Sequence, residues 1–147
     1  MPDSIRERLL QTILAALSAP GGPAGVTWHR SRTRPLAADD LPAGVLYVVE
    51  ETTGIAGASD SLLARHLLTV RIESRAAGDP PDAALDAQLQ WVVARMCTDR
   101  RWGGLAANTI ESKTTWTAEG IDEVYGAAAQ EFLIDYLTLA ADATSQG

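Results

Sequence analysis

Two histidines, one cysteine and a serine-rich segment are the side chains with the plainest capacity for chemistry in this sequence. His29 falls at a strand end beside arginines and His66 at a strand start. Neither belongs to a spaced Cys/His motif, so neither comes with the further ligands that a metal requires. Cys97 follows Val93 by one helical turn on an apolar stripe. A small buried hydrophobe is a simpler reading there than a nucleophile for which the sequence names no base. Ser59 and Ser61 stand in GASDS, which is not G-x-S-x-G and is not framed by a strand and then a helix. GIAGAS lacks the lysine of a phosphate loop. These residues assign no catalytic group, no metal and no cofactor.

Other residues suit contact better than catalysis. Arg30, Arg32 and Arg34 alternate along a polar stretch, residues 30–44, with Asp39 and Asp40 close behind. They form either a solvated loop or a set of forks that pair across a subunit boundary, with Glu50 and Glu51 as acceptors. Trp28, Trp91, Trp102 and Trp116 are many tryptophans for a chain with one phenylalanine. Core packing is the default for all of them, and Trp28 and Trp116 read as core. Trp91 lies off its helix's apolar stripe and Trp102 at a helix end, which makes these two the candidates for a partner subunit.

The elements that position these side chains follow from periodicity. Ser4 and Glu7 form the S-x-x-E pattern of a capping box, and Ile5, Leu9, Ile13 and Leu17 fall on one helical stripe. APGGPAG ends that helix, and a short strand over 26–29 follows. VLYVVEE at 45–51 is rich in β-branched and aromatic residues and reads as a strand, TTGIAGASDS at 52–61 as a flexible connection. In LLTVRIESRAAGDPPDAALDAQLQWVVARM the period changes. Leu68, Val70 and Ile72 alternate with Arg71, Glu73 and Arg75, and then Leu85, Leu89, Val92, Val93 and Met96 recur as on a helix. The helix is expected over 80–101, capped by Asp79 with Pro80 in its first turn and Arg95, Arg100 and Arg101 in its last. A strand is expected over 110–117. VYGAAAQEFLIDYLTLAAD has a helical composition, but Phe132, Ile134 and Tyr136 alternate with Glu131 and Asp135, so it is read as a strand. The sum is a single α+β domain over 1–140: a mostly antiparallel sheet of about four to five strands with two main helices on one face. Residues 141–147 are expected as a flexible tail.

The 147-residue length suits one core, and an apolar content of 46% excludes a disordered chain. No apolar run approaches the roughly 20 residues of a membrane helix. MPDSIRERLL lacks a secretory cleavage pattern. A lone cysteine rules out a disulfide within the chain and points to a cytosolic or assembly-bound setting. The net charge of −7 opposes sequence-specific DNA binding, yet suits a surface that DNA must pass without sticking.

Order, length and character together resemble the tail terminator (tail completion, minor tail protein U-like) proteins of long-tailed bacteriophages. The likeness rests on the opening helix SIRERLLQTILAAL, then RSRTRPLAADDLPAGVLYVVEE. It continues through LTVRIESRAAGDPPDAALDAQLQWVVARM, RRWGGLA, the Trp116 strand and a final FLIDY strand. The resemblance implies a hexameric ring of identical chains on the head-proximal end of the tail tube. Such a ring stops tube growth and meets the head-completion, or connector, proteins. The resemblance further implies a virion protein of the head–tail neck, assembled in the host cytoplasm, with no cofactor, no catalytic residue and no membrane. DNA passes through the ring without sequence-specific binding, and a channel-facing loop bearing Glu50, Glu51 and Asp60 would set the sign of the lining. Within virion assembly the alternative is a head–tail connector or stopper. From another class it is a small acidic cytosolic enzyme, which suffers from the lack of a convincing acid, base, nucleophile or metal cluster.

Overall fold

The change of period at residues 67–96 corresponds to a strand, β3 (Leu63–Ala77), followed by a helix, α2 (Pro81–Thr98). The computed structural model describes residues 2–31, 36, 40–55, 62–78, 80–119 and 125–147. Before β3 come α1 (Ile5–Leu17), β1 (Thr27–Arg30) and β2 (Ala43–Ile55). After α2 come a single 3₁₀ turn (Trp102–Gly104), β4 (Asn108–Glu119), β5 (Tyr125–Leu139) and β6 (Asp142–Gln146). The sheet order is β1-β2-β3-β5-β4, with β6 paired to β5 off that path. Among the described residues, β1–β2 is the parallel pairing and the others are antiparallel.

The α+β architecture is as expected, with the sheet extending to five strands along its path and a sixth beside it. Alternation decides which side of each strand is buried. Leu68, Val70 and Ile72 of β3 and Phe132, Ile134 and Tyr136 of β5 point to the helical side. There they meet Ile5, Leu9, Ile13 and Leu17 of α1 and Val92 and Met96 of α2 in one core. Ala76 and Ala128 meet Leu85 and Leu89 in a second, smaller cluster near the start of α2. The period-2 pattern thus prevailed over alanine's helical propensity in β5, because its even-numbered side chains have helices to pack against.

Two bulges lie at one level of the sheet. Val48, Val70, Phe132 and Glu111 form a single cross-strand row, and the register shifts directly after it on β2, at Val49, and on β4, at Ser112. A bulge strengthens local twist, so these two act at one level of the sheet; a further irregularity lies between Thr138 and Leu139, where β5 pairs with β6.

Several boundaries differ from the sequence reading. Residues 52–55, expected in a flexible connection, continue β2 and pair with residues 64–67; residues 56–61 lie outside the described set. α2 spans Pro81–Thr98, with Pro80 at the N-cap and no side-chain cap. Asp79, the expected cap, is outside the described residues. Arg100 lies beyond the helix and donates to the Thr109 carbonyl at 3.3 Å. Most of the expected loose tail is β6. Asp142 accepts from the Thr144 N–H (2.9 Å), the Thr144 hydroxyl (2.6 Å) and the Ser145 hydroxyl (2.8 Å), turning the chain back along β5. Those donors, the Thr144 hydroxyl first, hold the Asp142 carboxyl below the usual carboxylate range. The Gly147 N–H donates to the Leu137 carbonyl at 3.3 Å.

Candidate functional site

Arg30 closes β1, and its side chain reaches α1 instead of Glu50 or Glu51. Its Nη1 and Nη2 each donate to Glu7 at 2.7 Å, a two-pronged ion pair. The Ser4 hydroxyl accepts from the Glu7 N–H at 3.1 Å, so half of the capping box forms while the Glu7 carboxylate turns to Arg30. That fork, helped by a hydrogen bond from Gln11, holds the Glu7 carboxyl at about 2 against an ordinary 4.5. Each side chain of the pair is about a third exposed, so solvent screening limits the gain to about 1 kcal/mol. The folded value lies below the unfolded one. The stabilisation is therefore complete above about pH 4.5 and is lost as pH falls toward about 2. Arg30→Gln is expected to lower the urea midpoint at pH 7 and to converge on the parent as pH falls from 4.5. An equal deficit at every pH would contradict this origin. Arg32, Arg34 and Asp39 lie outside the described residues, and Asp40 is partly buried just before β2.

The bulge at Val49 separates two glutamates expected to act together. Glu50 is exposed. Glu51 faces the helices, where Arg6 Nη1 donates to it at 2.9 Å and the Tyr136 hydroxyl at 2.5 Å. Burial first, and then the Glu51 carboxylate, push the Tyr136 phenol up. His66 stacks on Tyr136 with ring centroids 4.6 Å apart. Its Nε2 lies 2.9 Å from the Thr138 hydroxyl oxygen and its Nδ1 3.0 Å from the Thr53 hydroxyl oxygen. Thr138 gives its own proton to the Leu139 carbonyl, so His66 Nε2–H donates to Thr138 and, in a neutral ring, Nδ1 accepts from Thr53. Glu51 and His66 are thus engaged in a structural cluster. Asp60 is outside the described residues.

The tryptophans exchange roles. Trp102 is buried (6% exposed) and its indole N–H donates to the Thr109 hydroxyl at 3.0 Å. Trp116, expected in the core, is 51% exposed on the outermost long strand. Trp28 packs against the core with its ring over Gly44, where an added Cβ would come 2.2 Å from the indole. Trp91 is half-buried at the α1–α2 junction. Its N–H donates to the Leu17 carbonyl at 2.9 Å, and Arg95 Nε donates to the Ala16 carbonyl at 3.0 Å. Helix α2 thereby gives the Leu17 carbonyl at the C-terminus of α1 a donor, and adds one to the Ala16 carbonyl, which also accepts from the Ala19 N–H at 3.3 Å. Cys97 is partly buried against the same core, as its place on the stripe suggested.

Opposite the helices, the sheet carries a ladder of charge. Arg65 pairs with Asp135 (2.5 Å), Lys113 with Glu131 (3.2 Å), and Glu73 lies between Arg71 and Arg75 at 3.6 and 3.7 Å. The alternation of Arg71, Glu73 and Arg75 was visible in the sequence; their neighbours on β4 and β5 were not. Exposed apolar side chains include Val48, Val49 and Ile55 on β2, beyond the stretch that β1 covers, and Ile110 and Trp116 on β4, besides Leu62, Leu67 and Leu139. A hollow of about 240 Å³ beside the start of α2 is lined, among the described residues, by Pro, Ala, Val, Leu and Gln. Among the described residues no three of His, Cys, Asp and Glu come together to hold a metal. Among the same residues, no helix is long and apolar enough to cross a membrane.

No protein-family model matches the chain, and no curated protein matches it.

Proposed function

We propose that this chain is a structural virion protein, a tail terminator. It forms a hexameric ring on the head-proximal end of the phage tail tube, stops tube growth and joins the tail to head-completion proteins. The observation that carries this reading is the pair of unlike outer sides of one sheet, β1 with β2 on one and β4 on the other, both bearing exposed apolar residues. A contact between unlike surfaces is heterologous, and such contacts close into rings when the rotation permits. The resemblance in element order supplies the setting, the neck of the virion, and the partners, tube protein and connector. No catalytic residue belongs to the reading: Glu51, His66 and Tyr136, the densest titratable cluster described above, are tied to one another and to Arg6.

The free chain is expected to associate weakly. At −7 per subunit, identical copies repel one another, and screening that repulsion favours assembly. Sedimentation across protein concentration and salt should show a monomer giving way to a species that stops growing at the hexamer, sooner in higher salt. A tight hexamer at nanomolar concentration in low salt would contradict the charge argument.

DNA leaving the head passes through the ring in this reading. The exposed Glu50, with Asp60 ten residues further along the chain, would keep that passage free of phosphate-binding cations. Glu50→Lys with Asp60→Lys should leave particles assembled and slow DNA release. Unchanged release from assembled particles would place these residues away from the channel.

A further inference from the structure

The two outermost strands of the sheet, β1 and β4, run in opposite directions and share height and face. β2, β3, β5 and β4 alternate in direction, and β1 runs parallel to β2. β1 is therefore antiparallel to β4 at the opposite side of the same sheet. Following the register across the sheet, Trp28, Gly44, Ser74, Ala128 and Trp116 form one row. His29, Val45, Glu73, Ala129 and Thr115 form the next. Each row thus begins on β1 and ends on β4, and residues sharing a row share a face of the sheet. Among the described residues, no strand pairs with the outer side of either β1 or β4.

Long open edges are ordinarily protected by charge, proline or a bulge. On β4 those devices are concentrated in the first half: the bulge at Ser112 and Lys113 beside it. Thr114, Thr115 and Trp116 follow with β-prone, exposed side chains, no proline and no charge. These are the positions level with β1.

We propose that the open edge of β4 in one copy adds antiparallel to the open edge of β1 in the next, with Trp116 opposite Trp28 and Thr115 opposite His29. A rotation about an axis along the strands preserves strand direction, so the antiparallel alternation continues from copy to copy without a break. Both indoles of the pair lie on the helical side of the sheet, where aromatic cross-strand pairs contribute to strand association. β1 has only four residues, so each contact is short, in keeping with weak association of free chains. The inference rests on the ring reading and names the surface that makes the ring.

Cysteine pairs on a Cys97→Ala background test it. His29→Cys combined with Thr115→Cys in one chain should give, on oxidation, a ladder of covalent oligomers. Mixing the two single variants should give dimers that grow no further, and His29→Cys with Ile110→Cys, out of register, should give none. Separately, Trp116→Lys should keep the parent's unfolding midpoint and weaken self-association at least tenfold, with Trp116→Phe restoring most of it. Covalent dimers from Thr115→Cys alone would show a two-fold β4–β4 contact and overturn the proposal. So would full association by Trp116→Lys, or hexamers by sedimentation with no cross-link from the in-register pair, the latter leaving the ring itself standing. If neither hexamers nor cross-links form, in solution or on tail tubes, ring and edge fail together.

Discussion

Trp102→Ala is expected to destabilise the fold by about 3–5 kcal/mol, lowering the thermal midpoint by roughly 10–15 °C. The indole lies in the main core, and its N–H is donated to Thr109, a residue that is itself fully buried. Truncation removes the packing and takes one donor from a buried hydroxyl that still gives its proton to the Arg100 carbonyl at 2.8 Å. Trp102 also sits at φ +51°, in the left-handed region that a bulky side chain adopts only when its surroundings hold it there. Trp102→Gly, which relieves that conformation, should therefore destabilise no more than Trp102→Ala even though glycine is the smaller residue. Calorimetry of both variants decides between core and interface. A native midpoint with impaired assembly would return Trp102 to the subunit boundary.

Trp91→Ala should cost about 2–3 kcal/mol, less than Trp102→Ala because Trp91 is only half-buried. Its ring lies against Gly22, where an added Cβ would come 2.9 Å from the indole, and the Arg95 guanidinium lies 5.3 Å from its centroid. Removing the indole opens the junction between the end of α1 and α2 and leaves the Leu17 carbonyl to water. Trp91→Phe keeps the ring and loses only the N–H, so it should recover more than half of the loss. Denaturant unfolding of the pair tests this, and equal losses would mean that the hydrogen bond outweighs the packing.

These two residues show how far the sequence could be read. Periodicity identified the strand–helix change at residues 67–96, the stripe of α1 and the face of β5, because each depends on neighbours in sequence. It could not say which faces would be covered. Trp91 is off the stripe that meets the sheet, yet the chain after α1 covers a second side of α2, widening its buried arc. Trp116 alternates correctly on the helical side of β4, but the strand is outermost and its tryptophan stays half-open. The partner of Arg30 lies 23 residues away on a helix, a distance at which a charge pattern carries no register. β6 escaped because five Asp, Ala, Thr, Ser and Gln residues show no apolar alternation; hydrogen bonds to Asp142 and β5 make that strand.

The candidate surface was legible only in part. Exposed glutamate at position 50 and the arginines of the 30–44 stretch could be singled out by type. Neither the matching rows from Trp28 to Trp116 nor the open edge of β4 exists until the strands are ordered. Sheet order is a long-range property, and the chain reaches it by inserting β5 between β3 and β4.

The proposed role of this chain is to end a tail tube with a ring. Electron microscopy of tubes polymerised from tube protein, with and without the chain, tests it most directly. Added chain is expected to cap one end of each tube with a sixfold ring and to arrest its length. Tubes that stay uncapped and elongate equally with and without the chain, while the chain remains a compact monomer, would contradict it.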